Sequence, residues 1–436
     1  MTKTIEWAEG YRLYYFLAVL MLCYIFSFLD RGILSIIVDP IRNDLRLTEV
    51  EMGFIMGPAF GVLYILFAPV MGHIADVGSR QLLIVCGVAI WSAATVACGL
   101  AVGFWTLCIA RMLVGAGEAA LAPAGYSIMP DTVRPERLGL ALSVFSSGVT
   151  IGAGLALVGG GFVVEFTSQT EIADAAFGGV DSWRIALFAV GLPGFLVALL
   201  VFFTIREPAR RTQSKDGRSL ADLFGHFRRH YKTLSCASLA LACLSMVNYA
   251  GMLWAPTFLM RVHGFSAGEV GLFFGLVTSI GGTSGAICGG YICDRFISKG
   301  RVTAPLLVTL GTAAISTPLL TFAFGFEDNR FSLILLSVGT AISCGAAGMH
   351  GVSVASLVPA NLRGRATAVH LMIVSFAGTA VAPMLTAFLT QNIFKGDQHI
   401  GSSLATTTAL AGMASIALVA IALPSARKLI AELRRT

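Results

Sequence analysis

The chain has 436 residues, 56% of them hydrophobic and 12% charged, with a mean hydropathy of +0.80. That balance excludes a soluble globular protein, in which about a quarter of residues are charged. The formal net charge of +6 calls for no nucleic-acid partner, because most of the basic excess flanks apolar stretches, where anionic lipid attracts it.

Windows of about 20 apolar residues predict twelve membrane spans, numbered here in chain order: 14–38, 52–73, 82–102, 104–129, 138–162, 183–204, 234–259, 270–293, 303–324, 331–357, 366–389 and 402–423. The segments between spans alternate sharply in basic content. One side collects 22 of the 30 Lys and Arg residues and the other six, with Arg31 and Arg111 inside spans. The positive-inside rule then places both termini in the cytoplasm of a multi-pass cell-membrane protein, and the short polar termini suit a bacterial inner membrane. The first span is too long for a signal peptide and is expected to be retained. All nine cysteines fall within spans without a CxxC pair and read as reduced packing residues.

Between spans 6 and 7 runs the one long polar segment, 206–232, with eight basic and three acidic residues. Leu220, Leu223, Phe224, Phe227 and Tyr231 recur there at helical spacing, which predicts a helix lying on the membrane surface; the competing reading is a flexible linker. The expected organisation is therefore a six-helix bundle over 1–205, a linker over 206–233 and a second six-helix bundle over 234–436. The halves repeat. Thr48 and Ser266, Glu51 and Glu269, Gly53 and Gly271, Gly57 and Gly275, Gly72 and Gly290, and Asp76 and Asp294 are each 218 residues apart. Such parallel repeats resemble the major facilitator superfamily. The implied fold is an all-α membrane protein of twelve transmembrane helices in two pseudo-symmetric bundles, with substrate bound near the midplane.

Gly264, Ser266 and Gly268 spell GxSxG, a hydrolase signature when it sits on a strand-to-helix elbow. Here Ser266 opens a span and Glu269 follows three residues later, which reads as a capping box, as do Thr48 and Glu51. No nucleophile-and-base pair or metal cluster lies within the spans, so an enzyme is not expected, nor any cofactor beyond the proton as coupling ion. Gly148, Gly152 and Gly154 in span 5, and Gly281, Gly285 and Gly289 in span 8, are small faces for close helix packing. The first set resembles the superfamily's antiporter motif without its proline, since residue 153 is Ala.

The segment from Gly72 through Asp76 to Arg80 resembles the superfamily's cytoplasmic loop motif between spans 2 and 3, with Val77 where an arginine is usual and Ser79 where a glycine is usual. Gly72 would let helices approach, and Asp76 would meet a helix N-terminus or Arg137 and hold an inner gate shut. Asp294 repeats the motif in the second half. The competing reading is an ordinary tight turn.

Asp30, Arg31, Arg111 and Glu118 are ionisable residues inside apolar spans, and such residues mark function by default. Arg111 and Glu118 are seven residues apart and share a helix face, with heads offset by about 10 Å. Rise per residue puts Asp30, Glu118 and Arg111 at about 24, 18 and 28 Å from the cytoplasmic ends. The matching positions in the second half are Asn248, Tyr249, Gly339 and Ala346, all uncharged. Two acids and two bases sum to zero; protonating an acid frees an arginine for an anion and so couples proton to substrate. The competing reading is a structural ion-pair cluster. His350 in span 10 is either a proton relay or substrate ligand, or a packing histidine. Trp183 and Arg184 read as an interfacial anchor.

Phe28, Leu29, Asp30, Arg31 and Gly32, then RMLVGAGEA over 111–119, then Pro135, Glu136 and Arg137, resemble the Spinster branch of the superfamily. That resemblance implies a lipid transporter, several members being implicated in moving sphingosine 1-phosphate or lysophospholipids, with proton coupling proposed. Asp30 and Glu118 would then be proton-responsive, and Arg31 and Arg111 would partner those acids or a lipid phosphate. The expectation is a proton-coupled, alternating-access transporter of an amphipathic anion, working as a monomer in the bilayer. The alternative is a symporter of a small organic anion such as a sugar acid.

Overall fold

The computed structural model describes residues 10–169, 179–210, 220–326, 328–359 and 362–433. Among these, all regular structure is helical, and twelve helices are long and apolar enough to cross a membrane. Spans 1 to 6 are Tyr11–Ile33, Glu49–Val77, Arg80–Gly99, Phe104–Thr132, Glu136–Thr167 and Ser182–Thr204. Spans 7 to 12 are Tyr231–His263, Ala267–Ser298, Ala304–Gly325, Asn329–Ala355, Arg363–Ile393 and Asp397–Leu433. In the linker a helix forms over Leu220–Arg229, with exposed Phe224 and Phe227.

The chain groups into two compact units whose membership departs from the halves in sequence. Unit 1 comprises Met1–Leu47, Ala59–Lys215 and Ser266–Gly275; unit 2 comprises Thr48–Pro58, Asp216–Phe265 and Leu276–Thr436. The first turns of spans 2 and 8 are thus exchanged, and in both the exchange ends at a helix irregularity. Span 2 breaks between Met56 and Pro58, where proline has no N–H to donate. Span 8 loosens into a π-helical turn over Val277–Gly281. Gly57 and Gly275, 218 residues apart, mark the same place in both repeats.

Each exchanged segment begins with the expected capping box. Thr48 and Glu51 complete one reciprocally. In the other, the Ser266 N–H donates to Glu269 and the Glu269 N–H to Ser266 Oγ, so the GxSxG serine caps a helix. Within unit 1, Glu165 accepts from the Gly268 N–H at 2.8 Å and from Ser266 Oγ at 3.1 Å. Within unit 2, Arg261 pairs with buried Glu49 at 3.1 Å, and Gln391 accepts from the Val50 N–H at 2.8 Å.

Close packing in unit 1 joins span 1 to span 5. Any Cβ on Gly148 would come within 2.9 Å of the Met21 carbonyl oxygen and of Tyr24 Cβ. In unit 2, Gly285 and Gly289 of span 8 lie directly against the backbone carbonyls of Ala341 and Gly345 in span 10. The small-residue faces read from the sequence are therefore real contact seams.

Trp183 and Arg184 lie in the first turn of span 6: Trp183 is fully buried, with Nε1 donating to Asp44, while Arg184 donates to Asp44 and to the carbonyls of Gly99 and Ala101. One expectation is corrected. Asp76 meets neither Arg137 nor a helix N-terminus. Both side chains are exposed without an ion pair among the described residues, and a Cβ at Gly72 or Gly290 would touch nothing within 4 Å. The polar anchor of this loop is Arg80, buried at 1% exposure. Its guanidinium pairs with Asp131 and with Glu207 at 2.7 Å, and donates to the carbonyls of Ser127 at 3.1 Å and Pro208 at 3.0 Å. Arg210 closes the same loop by donating to the carbonyls of Ala75, Asp76 and Gly78. Arg80 can hold this loop because the five donors of its guanidinium bind several acceptors at once. Asp294, the second-half counterpart, is exposed and has no ion pair among the described residues.

Candidate functional site

The four intramembrane charges of unit 1 form one cluster between spans 1 and 4. Arg111 Nη1 donates to Asp30 Oδ1 at 3.0 Å, and Thr95 Oγ1 of span 3 donates to Asp30 Oδ2. Arg31 donates to Glu118 Oε2 from Nε and Nη2, both at 2.6 Å, and Ser27 Oγ donates to the same oxygen at 2.6 Å. The pairs are crossed: adjacent residues on span 1 choose partners seven residues apart on span 4. All four residues are buried; Arg31, at 7% exposure, is the least so. In so dry a site each charge depends on its partner, because an unpaired charge there costs several kcal/mol, of the order of 3–5.

The local sequence explains how these side chains meet. Gly115 lies directly on the Phe60 carbonyl of span 2, and a Cβ on Gly117 would come within 2.8 Å of the Trp91 nitrogen of span 3. The glycines of RMLVGAGEA therefore draw spans 2 and 3 onto the charged face of span 4. Span 4 breaks at Ala119–Ala120, immediately after Glu118. Pro123 accounts for the break, since it lacks the N–H that would reach the Ala119 carbonyl. The close approach also places aromatic faces around the arginines. The Arg31 guanidinium carbon lies 4.7 Å from the Phe28 centroid, 4.5 Å from Phe60 and 4.7 Å from Tyr64, and that of Arg111 lies 5.4 Å from Phe60.

Among the described residues, two polar atoms of the cluster have no hydrogen-bond partner: Glu118 Oε1 and Arg111 Nε. Both are buried, so the network leaves one acceptor and one donor position open.

The second half is the internal control. Asn248, equivalent to Asp30, accepts a hydrogen bond from Ser343 Oγ of span 10 at 2.8 Å. The span 1 to span 4 ion pair thus has a neutral counterpart between spans 7 and 10 of unit 2. Joining the two helices does not require charge.

His350 belongs to unit 2, where it is half-buried beside a residue that sequence reasoning misses, His370 of span 11. Their ring centroids are 6.3 Å apart. His370 also lines an apolar cavity of about 540 Å³ with Phe224, Phe227, Leu234 and Val369. Ser27 and Thr95 escape sequence reasoning as well. Hydroxyls are common in membrane helices and usually bond their own backbone, so sequence carries no signal for them.

The geometry defines an α-helical membrane protein of repeated six-span halves with the Asp30, Arg31, Arg111 and Glu118 cluster in the first. Comparison with known proteins agrees. The sequence profile of the Major Facilitator Superfamily matches residues 20–383. An MFS-type efflux pump of Mycolicibacterium smegmatis is 25% identical over 392 residues, covering 88% of this chain and 87% of that protein. Human protein spinster homolog 1 is 26% identical over 404 residues, covering 86% and 73%. The crystal structure of a bacterial homologue of the human lysosomal transporter Spinster, inward-facing and occupied, superposes with a TM-score of 0.74 at 26% identity over 97% of each chain.

The chain belongs to the major facilitator superfamily, and is thus a transporter rather than an enzyme. Within that superfamily it is homologous to the Spinster proteins.

Proposed function

We propose that the protein is a proton-coupled, alternating-access transporter of an amphipathic anion, of the lysophospholipid or sphingosine 1-phosphate class. Asp30 and Glu118 carry the coupling proton, and Arg31 and Arg111 receive the anionic head group. The observation that carries this reading is the open oxygen of Glu118. Oε2 holds three donors while Oε1 holds none, so a proton can be added there without displacing an existing bond. Once Glu118 is neutral, Arg31 keeps its aromatic surroundings but loses its counter-charge, and an incoming phosphate takes that place. Substrate release and deprotonation restore the fully paired state. The apolar rings of Phe28, Phe60 and Tyr64 suit a ligand with a hydrocarbon body. The lipid class itself rests on the resemblance to Spinster proteins.

The same reading places both termini in the cytoplasm of a bacterial inner membrane, by the positive-inside distribution, and takes the transporter as a monomer. Arg80, with Asp131 and Glu207, steadies the cytoplasmic gate.

Uptake into proteoliposomes over a range of pH tests the coupling. Glu118→Gln and Asp30→Asn are each expected to flatten the pH dependence while the purified variants still fold, as judged by thermal melting. An unchanged pH response in both would refute it. A thermal-shift screen of lysolipids against small organic acids at two pH values tests the substrate class.

A further inference from the structure

A cleft of about 270 Å³ lies in unit 2, where the linker helix hands over to span 7 beside the last turns of span 12. Arg229, Lys232 and Lys428 line it with His230 and Thr233, and Glu432 is the single acid on its wall. None of the three cations is ion-paired among the described residues. Their mutual repulsion is therefore only partly relieved by Glu432. The Tyr231–His263 helix starts here with no side chain capping it, so the positive end of its dipole adds to the same field.

Thr233 is the second observation. It lines the cleft at 5% exposure, and its hydroxyl has no hydrogen-bond partner among the described residues. Its oxygen opens onto the cleft and can donate to an acceptor bound there. His230 points to the same electrostatics. Burial, His226 and Arg229 push it below the ordinary imidazole range against the pull of Glu432. Exposed Tyr231 on the wall of the cleft matches the aromatic residues that sit at headgroup level in membrane proteins.

We propose that this cleft binds the phosphate of an anionic phospholipid from the leaflet at the linker end, with Arg229, Lys232 and Lys428 as charge ligands and Thr233 as hydroxyl donor. The site is separate from the charge cluster of unit 1 and does not depend on its role. A lipid bound there ties the linker helix, span 7 and span 12 together at one point.

Lipid retention by the purified full-length protein tests the site. The protein is washed from mixed micelles containing phosphatidylglycerol or phosphatidylcholine, and bound lipid is counted by native mass spectrometry. Phosphatidylglycerol should be retained in preference to phosphatidylcholine. Lys232→Gln with Lys428→Gln should lower that retention at least about tenfold, and Thr233→Val, which keeps every charge, should lower it about threefold or more. Arg427→Gln, one residue along span 12 and outside the cleft, should leave it unchanged. Equal retention by wild type and the double lysine variant would overturn the site. Displacement of the lipid by millimolar inorganic phosphate would overturn the lipid assignment in favour of a free anion.

Discussion

Arg31 spends two donors on a single oxygen of Glu118, at 2.6 Å each, and leaves the other carboxylate oxygen buried and unbonded. A pair built only for rigidity would be expected to use the bidentate fork, in which each oxygen takes its own N–H. The lopsided arrangement makes Glu118 half committed to Arg31 and half available.

Stability measurements can separate the pair from its surroundings. Arg31→Met should destabilise the protein in detergent by about 3–5 kcal/mol, because it strands a buried carboxylate. Arg31→Met combined with Glu118→Gln should cost less than the two single changes summed, with a coupling of about 0.5–3 kcal/mol. Strict additivity in chemical denaturation would mean that the pair is energetically silent.

Arg111→Ala should abolish measurable binding of an anionic ligand, a loss of about 2–5 kcal/mol or more in affinity, scored by scintillation proximity or thermal shift. The same variant leaves Asp30 without its ion-pair partner and should melt earlier. Arg111→Ala with Asp30→Asn should regain thermal stability but not ligand affinity. Retained affinity in the single variant would remove Arg111 from the binding site.

The glycine seams give opposite outcomes for similar sequence changes. Gly289→Val drives a side chain into the Gly345 carbonyl and should cost about 1–3 kcal/mol or more. Gly72→Ala, where a Cβ meets open space, should stay within about 0.5 kcal/mol of wild type. Thermal melts of the two purified variants compare them directly.

Arg80→Lys should destabilise the protein nearly as much as Arg80→Ala, by about 3 kcal/mol or more, because one ammonium cannot reach Asp131, Glu207 and two carbonyls together. Arg137→Ala, on an exposed side chain, should be close to neutral in the same melting assay.

Residues whose burial is expensive are legible in the amino-acid sequence, and those whose partners lie far along the chain are not. Asp30, Arg31, Arg111 and Glu118 stand out because charge in hydrocarbon is rare enough to need a reason. The capping boxes stand out because a hydroxyl and a carboxylate three residues apart are locally self-sufficient. Asp76 and Arg137 mislead because charges at span ends have many partners within reach. Arg80, which takes the anchoring role instead, sits at the mouth of span 3, where its partners Asp131 and Glu207 come from distant parts of the chain. His370 escapes notice because a lone histidine in a span resembles ordinary packing until its neighbour is known.

Sequence alone determined the number of spans, the repeat and the first-half location of the charges, since hydropathy, periodicity and residue type are properties of the chain itself. Only the tertiary structure decided that Asp30 takes Arg111 while Arg31 takes Glu118, and that one oxygen of Glu118 is left open. It alone showed that the first turns of spans 2 and 8 pack away from their own halves. Those choices depend on how closely glycines let particular helices approach, a distance no single span encodes.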